Sequence, residues 1–419
     1  MNKISFYRHS FCFLLCLVGI APELFGQKAM SLEEVLKTAI EKNPALKIAD
    51  LKIEESVQLR RTATETGKLS AMWLSGQYNS LNTDNNLTLT QTLPLPTTMA
   101  AQSKLGKAVV DGDKLNQSLV RQQLLVDVTD AFDQLLFFQK AYALRRTQDS
   151  LYKEVAKAVD RRFATGEATQ LEKITAETKS LEISHLLLQS ESDIKIQQAR
   201  LGAFLKTNEL IVANGVLQKM NWSEGELAPE ISNNPYLKWS LQQIQIGNLQ
   251  TKVERNLLMP DVTVGYFNQS LIGFQRVNGQ EVFYDRDKKF SGFQLGLAVP
   301  LWFGPQLARS KAASFRTKQL EFKAEDDLLS LSRDLEQAKE EFQKASRAIS
   351  FYENSANRQA DMLARQSGVA YKSGELSLMN YLENLRSVSE IRFGYQLAIR
   401  QYNQSILKIQ YLTGYYENR

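Results

Sequence analysis

The sequence predicts a mainly helical protein with a small β part, and three observations support this. Proline and glycine, the main helix breakers, are missing from long stretches: no proline lies between 97 and 228, and no glycine lies in 113–165, 167–201 or 306–367. Apolar residues recur at spacings of three and four, which indicates helices with one buried face. Four short segments alternate apolar and polar residues with a period of two, which indicates strands.

The helices are predicted to be very long. The stretch 306–367 would make roughly 90 Å of helix at about 1.5 Å per residue. The first helix is predicted to begin with a capping box of Ser31 and Glu34. Two heptad seams bury one face each. The first seam is Leu328, Leu331, Leu335, Ala338, Phe342, Ala345, Ile349, Tyr352 and Ala356, and the second is Leu378, Leu382, Leu385, Val388, Ile391, Tyr395, Ala398 and Tyr402.

The four alternating segments are 70–79, 87–93, 262–267 and 291–299. About ten residues is the length that a tilted strand needs to cross a bilayer. Prolines stand where these strands meet helices, and aromatic residues near the strand ends are typical of a membrane interface. An ordinary half-buried sheet is the alternative interpretation. The junction prolines are Pro94, Pro96, Pro260, Pro300 and Pro305, and the aromatic residues are Trp73, Tyr78, Tyr266, Trp302 and Phe303.

The chain also repeats itself. Residues 41–44 match 232–235 at an Asn-Pro pair, 92–95 match 298–301 at a strand end, and 162–167 match 370–375 at a Gly-Glu pair. Each half is therefore predicted to contain a helix, two strands and long helices. The predicted division is a first repeat at 27–207, a connector at 208–230 and a second repeat at 231–419.

Residues 1–26 are predicted to be a signal peptide, with Lys3 and Arg8 ahead of an apolar core. Both cysteines lie in it, and Leu15 before Cys16 disfavours lipidation. The remaining chain has no cysteine and one histidine, His185, which excludes thiol nucleophiles, disulfides and histidine triads. The formal net charge of +5 gives no support for nucleic-acid binding. We predict no enzyme activity, no cofactor and no metal site.

Four strands cannot close a barrel on their own. An open sheet edge in lipid leaves backbone groups unpaired, at a cost of several kcal/mol each. Three copies of the chain would make roughly a 12-stranded β-barrel, within the known range of outer-membrane barrels. The same copies would close the long helices into a tube. The predicted fold is therefore a trimeric β-barrel continued by a long α-helical barrel, and such a hollow cylinder conducts solutes.

This doubled order of elements resembles the TolC-like outer membrane efflux protein family over residues 30–414. The pieces that match are the Asn-Pro pairs, the prolines at strand-to-helix junctions and the Gly-Glu pairs at Gly166 and Gly374. The resemblance implies a homotrimeric exit duct of a tripartite efflux system in the outer membrane, with helices in the periplasm. Its implied partners are a periplasmic adaptor protein, an inner-membrane resistance-nodulation-division pump and outer-membrane lipid.

The stretches GYFNQSLIGFQ and FSGFQLGLAVPLWFGPQLARSKA resemble the members that serve heavy-metal resistance-nodulation-division pumps. This resemblance implies that the cargo is a heavy-metal cation. Drug efflux and type I secretion are the alternatives for the cargo. An exported coiled-coil scaffold without a pore is the alternative of another class, and the four lipid-length strands speak against it.

The resemblance also implies two sites. Helix tips of this kind meet the adaptor, and here the matching residues are Arg162, Gly166, Glu167, Lys372, Gly374 and Glu375. Carboxylates after the tip glycine constrict the periplasmic aperture in the family, and here the matching residues are Glu172, Tyr371, Asn380 and Glu383. Asn380 stands where relatives carry an aspartate, which weakens a cation-binding ring.

Overall fold

The computed structural model describes residues 28–222 and 231–415. The predicted signal peptide, with Cys16, lies outside these residues, and so does the part of the predicted connector at 223–230. The rest of the chain is mainly helical. The described helices are α1 (Leu32–Lys42), α2 (Pro44–Arg61), α3 (Pro96–Ala164), α4 (Gln170–Leu205), α5 (Pro235–Asn256), α6 (Gly304–Phe351), α7 (Asn357–Lys372) and α8 (Leu378–Leu412).

The longest helix, α3, has 69 residues, which is about 100 Å at the usual rise. A π-helical turn at Tyr352–Ala356 joins α6 and α7 into one continuous rod. Among the described helices, none is both long and apolar enough to cross a membrane.

Both predicted heptad seams are largely buried, with Tyr352, Ile391 and Tyr395 half-buried. On α6 the residues from Leu331 to Ile349 pack in one core with Ala398 and Tyr402 of α8, and the rings of Phe342 and Tyr402 lie 5.1 Å apart. Leu328 at the start of the first seam is an exception, because its side chain is exposed. The capping box of Ser31 and Glu34 is confirmed, with the Ser31 N–H donating to the Glu34 carboxylate at 2.7 Å.

The four predicted strands are β2 (Ser70–Gly76), β3 (Asp84–Leu93), β5 (Asp261–Ser270) and β8 (Lys289–Ala298). They form one antiparallel sheet in this order. The strands β3 and β5 pair with each other, for example Leu89 opposite Tyr266. The two predicted halves therefore share a single sheet.

Two further strand pairs were not predicted. The strands β6 (Gly273–Val277) and β7 (Gln280–Tyr284) form a hairpin in the segment interpreted as a charged turn. Its two turn residues, Asn278 and Gly279, both have positive φ, as a tight hairpin turn requires. The strands β1 (Lys28–Met30) and β4 (Ile211–Ala213) pair in parallel.

The helices pack side by side in the same order as the strands that they adjoin. Sheet and helices together form one layer, which we call the ribbon. Beside the sheet, α3 packs between α2 and α5, and α5 packs on α6. Further along, α3 packs between α4 and α8, and α8 also packs on the α6–α7 rod. The helix α3 thus connects the sheet to the far tip. The outer edges of the ribbon are β2, α2 and α4 on one side and β8, α6 and α7 on the other.

Candidate functional site

The two helical hairpins at the far end turn on glycines with positive φ, +78° at Gly166 and +82° at Gly374. This left-handed conformation favours glycine and ends a helix. At the first turn the Ala168 N–H donates to the Arg162 carbonyl at 3.2 Å. At the second, the Leu376 N–H donates to the Ala370 carbonyl at 3.0 Å. The backbone closes both turns in the same way.

Each turn is followed by a hydroxyl N-cap. Thr169 caps α4 in a capping box, and its backbone N–H donates to the Glu172 carboxylate at 2.8 Å. This hydrogen bond, and a second from the Thr169 hydroxyl, hold the pKa of the Glu172 carboxyl below its ordinary value. Ser377 caps α8 and accepts from the Asn380 N–H at 3.3 Å. Glu172 and Asn380 therefore occupy the same place in the first turn of their helices.

Glu383 lies one turn beyond Asn380 and is paired on its own helix. The Arg386 guanidinium donates to Glu383 at 3.1 Å and to Glu390 at 3.2 Å. The hydrogen bonds from Arg386 lower the pKa of the Glu383 carboxyl. Sequence reasoning missed Arg386, although its spacing of three and four residues from the two glutamates was a readable signal. The negative charge predicted at this position is thus accompanied by a positive one.

The two tips contact each other. Arg162 donates through Nη2 to the Glu167 carbonyl at 3.3 Å, and its Nη1 lies 3.5 Å from the Tyr371 hydroxyl. The Tyr371 ring stacks on Tyr381, with 4.6 Å between centroids and 6° between planes. Four of the predicted site residues, Arg162, Glu167, Gly166 and Tyr371, therefore lie together where the first hairpin meets the second.

The remaining tip residues are open to solvent. Lys372, Gly374 and Glu375 are exposed, and so is Glu167 at the first turn. A side chain added at Gly166 or Gly374 would meet no atom within 4 Å. Apolar side chains accompany these charges, since Leu171 and Met379 are more than half exposed next to the turns. Both tips therefore present surface to which another protein could bind.

The sheet at the opposite end has one apolar and one polar face. Residues that pair directly across antiparallel strands share a face. One face carries Trp73, Leu87, Leu89, Leu93, Val262, Val264, Tyr266, Phe293, Leu295 and Leu297, together with the polar Gln91 and Asn268. The other carries Thr88, Thr90, Thr92, Thr263, Gly265, Gln294 and Gly296, together with the apolar Met72, Leu74, Phe267 and Phe290. The side chain of Phe293 is 87% exposed in the single chain.

The described residues 28–222 and 231–415 contain no group of three or more His, Cys, Asp or Glu placed to hold a metal ion. His185 is exposed, and its Nε2 lies 3.1 Å from the Gln189 amide nitrogen. What the geometry offers is an apolar sheet face at one end and charged helix tips at the other. These are surfaces for binding and enclosure.

Comparison with known proteins gives matches at the level of structure. No family profile and no curated protein sequence matches the chain. The outer-membrane channel OprN superposes with a TM-score of 0.76 at 15% identity, over 91% of this chain and 89% of that one. The outer membrane protein VceC of Vibrio cholerae gives 0.76 at 14%, over 91% and 96%. The Campylobacter jejuni outer membrane channel CmeC gives 0.73 at 14%, over 91% and 85%.

These matches confirm, at the level of fold, the predicted resemblance to TolC-like outer membrane channels. OprN and CmeC are outer membrane channels, and VceC is an outer membrane protein.

Proposed function

We propose that this chain is the exit duct of a tripartite efflux system in the outer membrane, and that three copies close it. The observation that carries the proposal is the state of the two outer edges of the ribbon in the described residues. The edge strands lack a pairing partner on one side, and the edge helices expose apolar side chains. In the described sheet, β2 and β8 each pair on one side only. Joining β8 of one copy to β2 of the next would give roughly 12 strands and leave no edge in lipid.

The helix edges support the same closure. The edge helices expose apolar side chains in rows, where a monomeric soluble protein would carry polar ones. Neighbouring copies would cover these rows as the tube closes. The exposed residues are Ile48, Leu51 and Leu59 on α2, and Leu307, Phe315, Phe322 and Leu329 on α6.

The apolar sheet face supports a place in lipid. Phe293, Leu295 and Leu297 are each more than two thirds exposed, and burying such side chains stabilises a protein by about 1.5–3 kcal/mol each. A coiled-coil scaffold without a pore would have no use for this face. In the assembled duct the polar face, rich in threonine and glycine, lines the passage. The long helices then extend into the periplasm.

At the far end we propose that Glu172, Tyr371, Asn380 and Glu383 surround the periplasmic aperture, and that the exposed tips contact a periplasmic adaptor. The bond between Arg162 and Tyr371 supports this, because it ties the hairpin of the first half to that of the second. The two halves, 27–207 and 231–419, are accordingly proposed as repeats joined by the connector 208–230.

The proposed cargo is a heavy-metal cation supplied by a resistance-nodulation-division pump, as the stretches 265–275 and 290–312 suggest by resemblance. Drugs or a secreted protein are the alternatives. A deletion strain tested against a panel of metals and drugs separates them: sensitivity to metals alone supports the proposal, and sensitivity to drugs alone overturns this part of it.

The duct itself is tested by fractionation, mass and conductance. We expect the protein in the outer membrane, soluble only with detergent, trimeric by native mass spectrometry, and conducting in planar bilayers. Recovery as a monomer without detergent would overturn the proposal.

For the aperture, Glu172→Gln with Glu383→Gln should raise the conductance. Glu390→Gln, which alters the other partner of Arg386, is the matched control.

A further inference from the structure

A buried polar cluster lies where residues 216–221 of the connector cross the long helices. Its members are Asp133 on α3 and Arg400 and Asn403 on α8, and all three are buried. The connector residues Gln218 and Met220 pass directly over it. None of these residues belongs to the sheet, the aperture or the tips.

Asn403 bridges the helices and the connector. Its amide nitrogen donates to Asp133 Oδ1 at 3.0 Å and to the Gln218 carbonyl at 3.0 Å, while its amide oxygen accepts from the Met220 N–H at 3.0 Å. The connector backbone is therefore held through one side chain whose orientation Asp133 helps to set.

Asp133 has fewer hydrogen bonds and a weaker ion pair than a buried carboxylate needs to offset its loss of hydration. Its Oδ2 has no hydrogen-bond partner, and neither has Nη1 of Arg400, which lies 3.8 Å away. The other amino group of Arg400 is bonded to Asp130. The Arg400 guanidinium thus pairs with two carboxylates. Asp133 has the longer contact and is more deeply buried than Asp130. Burying an incompletely bonded charge is costly, whereas a protonated carboxyl is much cheaper to bury.

The connector contributes to that burial. A cavity of about 330 Å³ lies between Asp133 and the connector residues Gln218, Lys219 and Met220. This cavity is already partly open, and lifting the connector would widen it and hydrate Asp133. The docked and lifted states therefore differ in how well they solvate the carboxylate.

We propose that Asp133 and Asn403 form a proton-sensitive latch that holds the connector against α3 and α8, and that taking up a proton tightens the latch. Burial is the largest cause that raises the pKa of Asp133, to about 6, and Asp130 adds to it, while Arg400 and Asn403 act in the opposite direction. In the lifted state the pKa returns towards about 3.9. Because the docked state binds the proton more tightly, a fall in pH through about 6 favours docking.

The size of the effect has a ceiling. A difference of about two pKa units corresponds to about 100-fold in the docking equilibrium. The helices provide part of the burial and remain in place when the connector lifts, so we expect about tenfold.

Other charged groups surround the latch and need a control. They are Asp127 and Asp130 on α3, Arg200 on α4, Arg400 on α8 and Lys219 on the connector, while α1 contributes the apolar Leu32. Burial also raises the pKa of Asp127, so Asp127→Asn is the matched control variant.

The test is hydrogen exchange of the connector amides 214–222 in the full-length protein in detergent, read by mass spectrometry between pH 5 and 8. After correction for the intrinsic exchange rate, wild type should open about fivefold less often at pH 5 than at pH 7.5, because the full tenfold effect is reached only below pH 5. The variant Asp133→Asn should lose most of this pH dependence, and Asp127→Asn should keep it. Equal opening at both pH values in wild type, or an unchanged pH dependence in Asp133→Asn, would overturn the proposal.

A second measurement covers the case in which Asp133→Asn does not fold. The variant Met220→Cys leaves Asp133 in place, and its labelling rate, relative to the unfolded protein at each pH, should be lower at pH 5. A pH-independent ratio would contradict the latch.

Discussion

The two helix tips have the same backbone conformation and differ in their side chains. Each turns on a glycine with positive φ, closes with an N–H to a carbonyl six residues earlier, and starts the next helix with a hydroxyl cap. The first tip then carries Glu172 where the second carries Asn380. The comparison teaches that the geometry of the turn needs a glycine and a hydroxyl, while the charge around it is free to vary.

The difference also creates the contact between the tips. Arg162 of the first hairpin corresponds in sequence to Ala370 of the second, so the guanidinium that reaches Tyr371 exists on one side only. The link between the hairpins is thus asymmetric, and removing the Tyr371 hydroxyl would break it without altering either turn.

The largest expected effect on channel opening comes from breaking this link. With Arg162→Ala we expect a roughly fivefold shift towards open channels, since losing a charged but partly solvated hydrogen bond costs about 1 kcal/mol. Single-channel recording measures the open fraction. Tyr371→Phe, which keeps the stacking on Tyr381, should reproduce the shift, and Arg161→Ala is the control. An unchanged open fraction in both Arg162→Ala and Tyr371→Phe would show that this contact does not control opening of the aperture.

The glycines should behave alike. Gly166→Ala and Gly374→Ala force a left-handed alanine, which costs roughly 1–2 kcal/mol, and open space around both positions adds no clash. Hydrogen exchange of peptides spanning each turn should show equal losses of local stability. A clear inequality would mean that the shared backbone is not the controlling feature.

The caps should behave differently. Thr169→Ala and Ser377→Ala each remove a capping bond worth about 1 kcal/mol. The first also removes the hydroxyl that donates to Glu172. We therefore expect the larger increase in exchange at the start of α4. Equal increases would show that Glu172 contributes nothing to the cap.

The smallest effect concerns pH. Because the hydrogen bonds of Thr169 depress the pKa of Glu172, its contribution is present above the unfolded value of about 4.3 and is lost as pH falls through the folded value. Acid should therefore loosen the N-terminal cap of α4 more than that of α8, where Asn380 replaces the titrating glutamate. Exchange at both tips between pH 3 and 6 measures this. Glu172→Gln should remove the difference in exchange between the two tips. If the difference persists in this variant, another titrating group causes it.

Much of the candidate site could be predicted, because turns and caps are local. Glycine, the hydroxyl cap and the charges lie within about ten residues of each turn; the internal repeat pointed to Gly166 and Gly374, and the family resemblance implied Glu172. The local pairing of Glu383 with Arg386 was missed although the signal was present. The β6–β7 hairpin was missed as well, although Asn278 and Gly279 are a typical hairpin-turn pair.

The sequence by itself determined the long helices, their buried seams and the four strands, since these depend on which residues break a helix and on the period of apolar residues. Only the tertiary structure decided that β3 pairs with β5, that β1 pairs with β4, that Leu328 is exposed, and that Asn403 joins Asp133 to the connector. The physical reason is that a periodic pattern states which face of an element is apolar but not which distant element covers it. That choice is made by the packing of the whole chain.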